Sequence, residues 1–246
     1  MATQGRRPAG RAGKGSPVRR NRAAPAQRFP PPQPPKKTAK VVFDAPEPDS
    51  DEPRTFRLGV VPGATPGKWI DAWKQRMPHV PVEIVSVKVA DQREALDDLD
   101  AALVRMPLTD ETLHVITLYD EVPVVVASID SHLLAVDELT IADLAGEIVM
   151  TPIDDPLGPI DIPGAVSASF APLTVAEAIP TAAAGTGIVI LPMSLARMHH
   201  RKDVGHRPLV DGPTSTVALV WRREHTTPDV ETFIGIVRGR TSNSSR

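Results

Sequence analysis

The 246-residue chain contains no cysteine, which excludes disulfides, thiolate metal sites and a cysteine nucleophile. Aromatic residues are scarce, with three Trp, one Tyr and five Phe, too few for a base-stacking surface. No stretch approaches the roughly 18 apolar residues of a membrane span, and no apolar run of about 7–15 residues follows the charged N-terminus as a secretory signal requires. The expectation is a soluble cytoplasmic protein. Catalytic signatures are missing too. SAS at 167–169 and SLA at 194–196 hold no nucleophile elbow, no phosphate-binding Gly-x-x-x-x-Gly-Lys loop occurs, and Gly185-Thr186-Gly187 lacks the third glycine of a dinucleotide fingerprint. His199, His200 and His206 form the histidine cluster, but adjacent helical residues point about 100° apart, which does not suit zinc. Asp97-Asp98 and Asp154-Asp155 read as solvated neighbours. The chain therefore reads as a non-enzyme with no cofactor and no metal.

Residues 1–40 also lack acidic side chains while carrying eleven basic ones: Arg6, Arg7, Arg11, Lys14, Arg19, Arg20, Arg22, Arg28, Lys36, Lys37 and Lys40. Five acids follow by Glu52, which leaves 17 basic and 25 acidic residues from Pro53 onward. Prolines number 27, roughly twice an average share, and PPPQPP at 30–35 is stiff and extended. Residues 1–54 are expected to be a disordered basic tail on an acidic globule. Such a tail is an electrostatic footprint for DNA or RNA, Arg6, Arg7, Arg11, Arg19, Arg20 and Arg22 being the first contacts. The plainer alternative is a solvated extension.

Positive structure begins at Thr55. Phe56, Leu58 and Val60 alternate as a strand, Pro62-Gly63 turn, and Thr65-Pro66 reads as the N-cap and first-turn proline of a helix whose Trp69, Ile70, Trp73 and Met77 share a face. A strand turning directly into a helix N-terminus is where open α/β folds bind small anions. Further on, strands are expected at 82–87, 99–104, 113–118, 122–127, 147–150, 188–192 and 217–221, with Tyr119-Asp120-Glu121 separating the fourth and fifth of the chain. Short helices fall at 91–96, 140–145 and 194–200. Thr174, with Glu177 three residues on, is a capping box opening a helix, and Pro228 to Val237 is a last amphipathic helix. Three prolines and two glycines in 153–166 exclude a useful helix there.

The segments FRLGVVPGATPGKW, LDAALVRMP, VPVVVASIDSHLLA, TIADLAGEIVMTP, AEAIPTAAAGTGIVILPMSLA and VALVWRREHTTPDVETFIGIVRG, in that order, resemble the effector-binding domain of LysR-type transcriptional regulators, over about residues 55–239. The resemblance implies an α/β, two-lobed, type 2 periplasmic-binding-protein-like fold with two crossover strands. Lobe 1 takes about 55–127 and 214–239, lobe 2 about 128–213, and 240–246 fray. It implies a small, anionic organic effector between the lobes, and a side-by-side homodimer. Carried onto this chain, the ligand-binding positions are Gly63, Ala64, Thr65 and Pro66; Arg105, Met106 and Pro107; Thr151 and Pro152; Thr186 and Gly187. Thr65 would hold a carboxylate, with Arg105 either its countercharge or directed to solvent. The chain departs from the family in three ways. Residues 1–54 have no room for the winged helix-turn-helix and linker helix, 153–166 replace a helix, and the 91–96 helix is truncated. A protein-interaction module with a degenerate cleft and no DNA binding is the alternative reading.

Overall fold

A computed structural model describes residues 53–239. The expectations for the tail and for 240–246 lie outside these residues, except that Arg54 belongs to the folded body: its Nε donates to Asp229 Oδ2 at 2.7 Å.

Two five-stranded sheets form the molecule. The first contains β1 (Phe56–Val60), β2 (Val82–Ser86), β3 (Ala101–Arg105), β4 (Leu113–Glu121) and β10 (Ser215–Arg222), in the order β2-β1-β3-β10-β4. The second contains β5 (Pro123–Ser128), β6 (Ile148–Met150), β7 (Val166–Ser167), β8 (Ile188–Pro192) and β9 (Val204–Pro208), in the order β7-β6-β8-β5-β9. Each sheet is three parallel strands followed by one antiparallel strand and an edge. The antiparallel strand, β10 or β5, is the one reached by crossing from the other sheet. β3 and β8 are buried at every position, as strands covered on both faces must be, which is why both read as unbroken apolar runs.

The helices are α1 (Gly67–Arg76), α2 (Gln92–Ala95), α3 (Val175–Ala183), α4 (Met193–Met198) and α5 (Pro228–Val237). Against the first sheet, α1 and α5 close an aromatic core: Phe56 stacks on Trp73 at 4.6 Å and tilts against Phe233 at 5.0 Å. The indole N–H of Trp73 donates to Val80 O at 2.8 Å, so its burial leaves no polar group unpaired. α3 and α4 pack on the second sheet through Ala178, Ile179, Ala182 and Leu195. Thr174 and Glu177 form the expected capping box at α3, and Thr227 caps α5 with Pro228 in its first turn.

Several boundaries differ from the sequence reading. α1 starts at Gly67 with Pro66 at its N-cap and no side-chain cap, so Thr65 stands outside the helix with its hydroxyl capping nothing. β3 starts at Ala101 because the Asp100 carboxylate accepts the Arg57 amide at 2.7 Å. β4 runs through Tyr119 to Glu121, leaving Val122 alone between it and β5. β5 lies in the second sheet, between β8 and β9, so lobe 1 ends near Glu121 rather than 127. β7 and β9 carry no apolar alternation and were not expected. No helix interrupts 153–166.

Candidate functional site

The centre of the molecule is a buried ionic node where the sheets meet. Arg105, the last residue of β3, is 2 % exposed and Glu121, the last of β4, is 8 % exposed. Arg105 Nη1 donates to Glu121 Oε2 at 3.0 Å and to Ser215 Oγ at 2.7 Å, while Nη2 donates to Pro62 O at 3.0 Å and Ser194 Oγ at 3.1 Å. Ser194, on α4 of the second lobe, donates in turn to Glu121 Oε2 at 2.7 Å. Gln92 holds the arginine's backbone at both ends, giving its side-chain amide to Arg105 O and accepting from Arg105 N. A buried charge persists only when paired and hydrogen-bonded. Here one carboxylate of β4, two hydroxyls of β10 and α4 and the Pro62 carbonyl, drawn from both lobes, do this. Gly63 permits the close approach: at φ 86°, a Cβ there would lie 2.3 Å from Ser194 Oγ and 2.9 Å from Arg105 Nη2.

Two cavities flank the node. One, about 740 Å³, opens where the β1–α1 turn meets the crossover and α4, between Thr65, Tyr119, Glu121 and Arg197. The other, about 620 Å³, lies where strands of both sheets end. Pro62 follows β1, Lys88 follows β2, Arg105 ends β3, Asp154 and Asp155 follow β6, and the head of α3 forms a further wall. In this strand-exit cavity Asp154 Oδ1 accepts the Val175 amide of α3 at 2.7 Å, and Asp155 Oδ1 accepts the Leu157 amide at 2.9 Å. Burial pushes the Asp155 carboxyl up to about 6, with the charge of Asp154 adding to the rise and the Leu157 amide and Arg105 opposing it.

The positions expected to bind ligand are dispersed. Gly63, Ala64 and Thr65 line the larger cavity and Arg105 the strand-exit one. Arg105 neither points to solvent nor offers a free charge, because Glu121 neutralises it. Thr151 lines a third cavity of about 230 Å³ inside the second lobe. Pro66, Met106, Pro107 and Pro152 line none of these, and Met106 packs on the core beneath β3. Thr186 and Gly187 sit before the first residue of β8, whereas α4 and the node lie beyond its last. Gly187 is there for packing, since a Cβ would meet Ile148 O at 2.5 Å. Sequence reasoning missed Glu121, Ser194, Ser215 and Gln92. The acidic pair Asp120-Glu121, where the apolar runs of β4 and β5 meet, was the one legible hint. Among the described residues no His, Cys, Asp and Glu group fits a metal, and His206 is held below the usual imidazole value by burial and by Arg197, Arg207 and His200. No described helix is long and apolar enough to cross a membrane.

Comparison with known proteins agrees with the two-sheet architecture. The chain is similar to the reduced form of the OxyR regulatory domain from Pseudomonas aeruginosa, with a TM-score of 0.58 at 20 % identity over 79 % of this chain and 98 % of that one. It is also similar to the BenM effector binding domain solved with its effector benzoate, with a TM-score of 0.62 at 19 % identity over 76 % and 95 %. In sequence it is 27 % identical over 210 residues to the Hca operon transcriptional activator HcaR of Escherichia coli (strain K12), spanning 78 % of this chain and 70 % of that protein. Residues 50–242 match the LysR substrate binding domain, and the chain belongs to that family.

Proposed function

We propose that this chain is a regulatory, non-enzymatic effector domain that binds a small organic molecule in the strand-exit cavity between its lobes. The observation that carries the reading is the convergence of β1, β2, β3 and β6 ends with the head of α3 on one cavity of about 620 Å³. Open α/β sheets bind ligands at the carboxyl ends of their strands, and this volume suits a small metabolite. Family members are regulators rather than enzymes, bind small effectors and act as oligomers, which supports an effector-linked homodimer. A ligand touching loops of both lobes favours the arrangement in which both walls reach it, and only that difference in affinity shifts the equilibrium between arrangements. The anionic class expected for the effector came from the family resemblance, with Thr65 and Arg105 as the residues that would carry it onto this chain. Thr65 borders the other cavity and Arg105 is matched by Glu121, so neither supports it.

The basic tail is proposed to add sequence-independent contact with nucleic acid. A second reading, a protein-interaction surface with no ligand, draws on the exposure of Ile153 (70 %), Val166 (50 %) and Phe170 (40 %) around the proline-rich segment. Calorimetry separates the two. Small metabolites of both charge signs are titrated into the full chain and into Ala176→Trp, which fills the cavity from the first turn of α3. Saturable heat that disappears in Ala176→Trp is expected. Silence across the set, or binding indifferent to that variant, sinks the cavity reading and favours the second.

A further inference from the structure

A cavity selects its ligand through the polar groups the protein has left uncommitted. In the strand-exit cavity the buried cation and two of the three amides at the head of α3 are engaged internally. Arg105 gives Nη1 to Glu121 and Ser215, and Nη2 to Pro62 and Ser194. Its Nε has no partner but almost no accessible surface, so a ligand does not reach it. At the head of α3 the Val175 amide is taken by Asp154, and Thr174 accepts the Glu177 amide within the capping box, which leaves the Ala176 amide of the first turn. Lys88 is exposed and makes no ion pair among the described residues.

The acceptors are in the opposite state. Asp155 is half-buried; its Oδ1 receives one amide, and Oδ2 makes no hydrogen bond with the described residues. Asp154 is spent on one oxygen only. With Arg105 matched by Glu121, the charged groups of the wall are Lys88 against Asp154 and Asp155, with His199 beside them. The remaining wall is apolar, including Val89, Ile153, Leu195 and Met198.

We propose that the effector is a cation, a primary amine or amidinium on a small apolar skeleton, with its charged nitrogen donating to Asp155 Oδ2 and its skeleton against the apolar wall. This rests on the reading of the strand-exit cavity as the effector site and assigns the ligand class of that site. A nitrogen cation on a partly buried carboxylate makes a charge-assisted bond of roughly twice the neutral strength. A carboxylate in the same place meets two like charges.

The test uses amine and carboxylate pairs on one skeleton: benzylamine with benzoate, phenethylamine with phenylacetate, cyclohexylmethylamine with cyclohexanecarboxylate. Each is titrated into the full chain by calorimetry at about pH 7.5, where Asp155 is ionised. Amine members are expected to give saturable heat and their carboxylate partners none. Asp155→Asn keeps an acceptor for the Leu157 amide and is expected to weaken amine binding about tenfold or more. Ala176→Trp abolishes binding whatever the charge. Saturation by carboxylates alone, lost in Ala176→Trp, overturns the cation assignment and leaves the effector cavity standing. Amine binding unchanged in Asp155→Asn also overturns it. Silence from every pair overturns the cavity reading and the assignment together.

Discussion

At the scale of single residues, the chain places chemistry where burial is costly. Asp155 has its carboxyl raised to about 6 from an ordinary 3.8, chiefly by burial. Its folded value exceeds its unfolded one, so the native state holds the proton more firmly and stability falls as pH rises across the interval between them. Asp155→Asn removes that dependence. Urea denaturation at a series of pH values should find the variant more stable than the parent above about pH 6, the gain shrinking toward pH 4. A gain that stays constant with pH would mean that Asp155 is not held in the state described. Gly63 tests the neighbouring wall in the opposite sense. A methyl group there must push aside Ser194 and Arg105 and sit at φ 86°, so Gly63→Ala should cost about 1–3 kcal/mol in denaturant unfolding. A neutral result would mean that the turn relaxes without disturbing the node. Neither role was legible beforehand. Asp154-Asp155 read as a solvated pair, which fits the exposed Asp154, whereas the half-buried Asp155 shares a cavity with first-lobe strand ends that are distant in the sequence, and Gly63 read as a ligand contact because the α4 serine it touches lies 131 residues away.

At the scale of elements, local rules served where the cause was local. The capping box at Thr174, the proline-led α5 and the fully apolar β8 are visible because their spacing, caps and periodicity are fixed within a few residues. β9 was not visible: its five residues are all half-buried and it is held by pairing with β5 rather than by any pattern of its own. The node is the extreme case, since Arg105 finds Glu121 at a separation of 16 residues and Ser215 at 110. Its energetics separate two variants cleanly. Glu121→Gln leaves a buried guanidinium without its countercharge and should destabilise by about 3–5 kcal/mol. Arg105→Met with Glu121→Leu removes both charges and should recover most of that loss, as apolar replacements of buried pairs do. Equilibrium unfolding of the two variants and the parent decides it. A double variant no more stable than Glu121→Gln would show that the serines and the Pro62 carbonyl, left without their donor, outweigh the pair itself.

At the scale of the whole molecule, charge is divided by position along the chain. Residues 1–40 carry eleven basic side chains and no acid, and from Pro53 onward 25 acidic residues face 17 basic ones. The folded body therefore repels a polyanion, and any attraction to nucleic acid must come from the tail. That attraction would be a release of counterions from the phosphate backbone and so would carry a salt signature rather than a sequence preference. Fluorescence anisotropy of a labelled duplex, titrated with the full chain and with a shortened chain starting at Thr55, isolates it. The full chain should bind with an affinity that falls by orders of magnitude between roughly 50 and 200 mM salt, and the shortened chain should not bind. Equal binding by both would assign the contact to the folded body against its charge. Absence of binding by either at low salt would remove nucleic acid from the tail's role and leave regulation to the effector cavity and a protein partner.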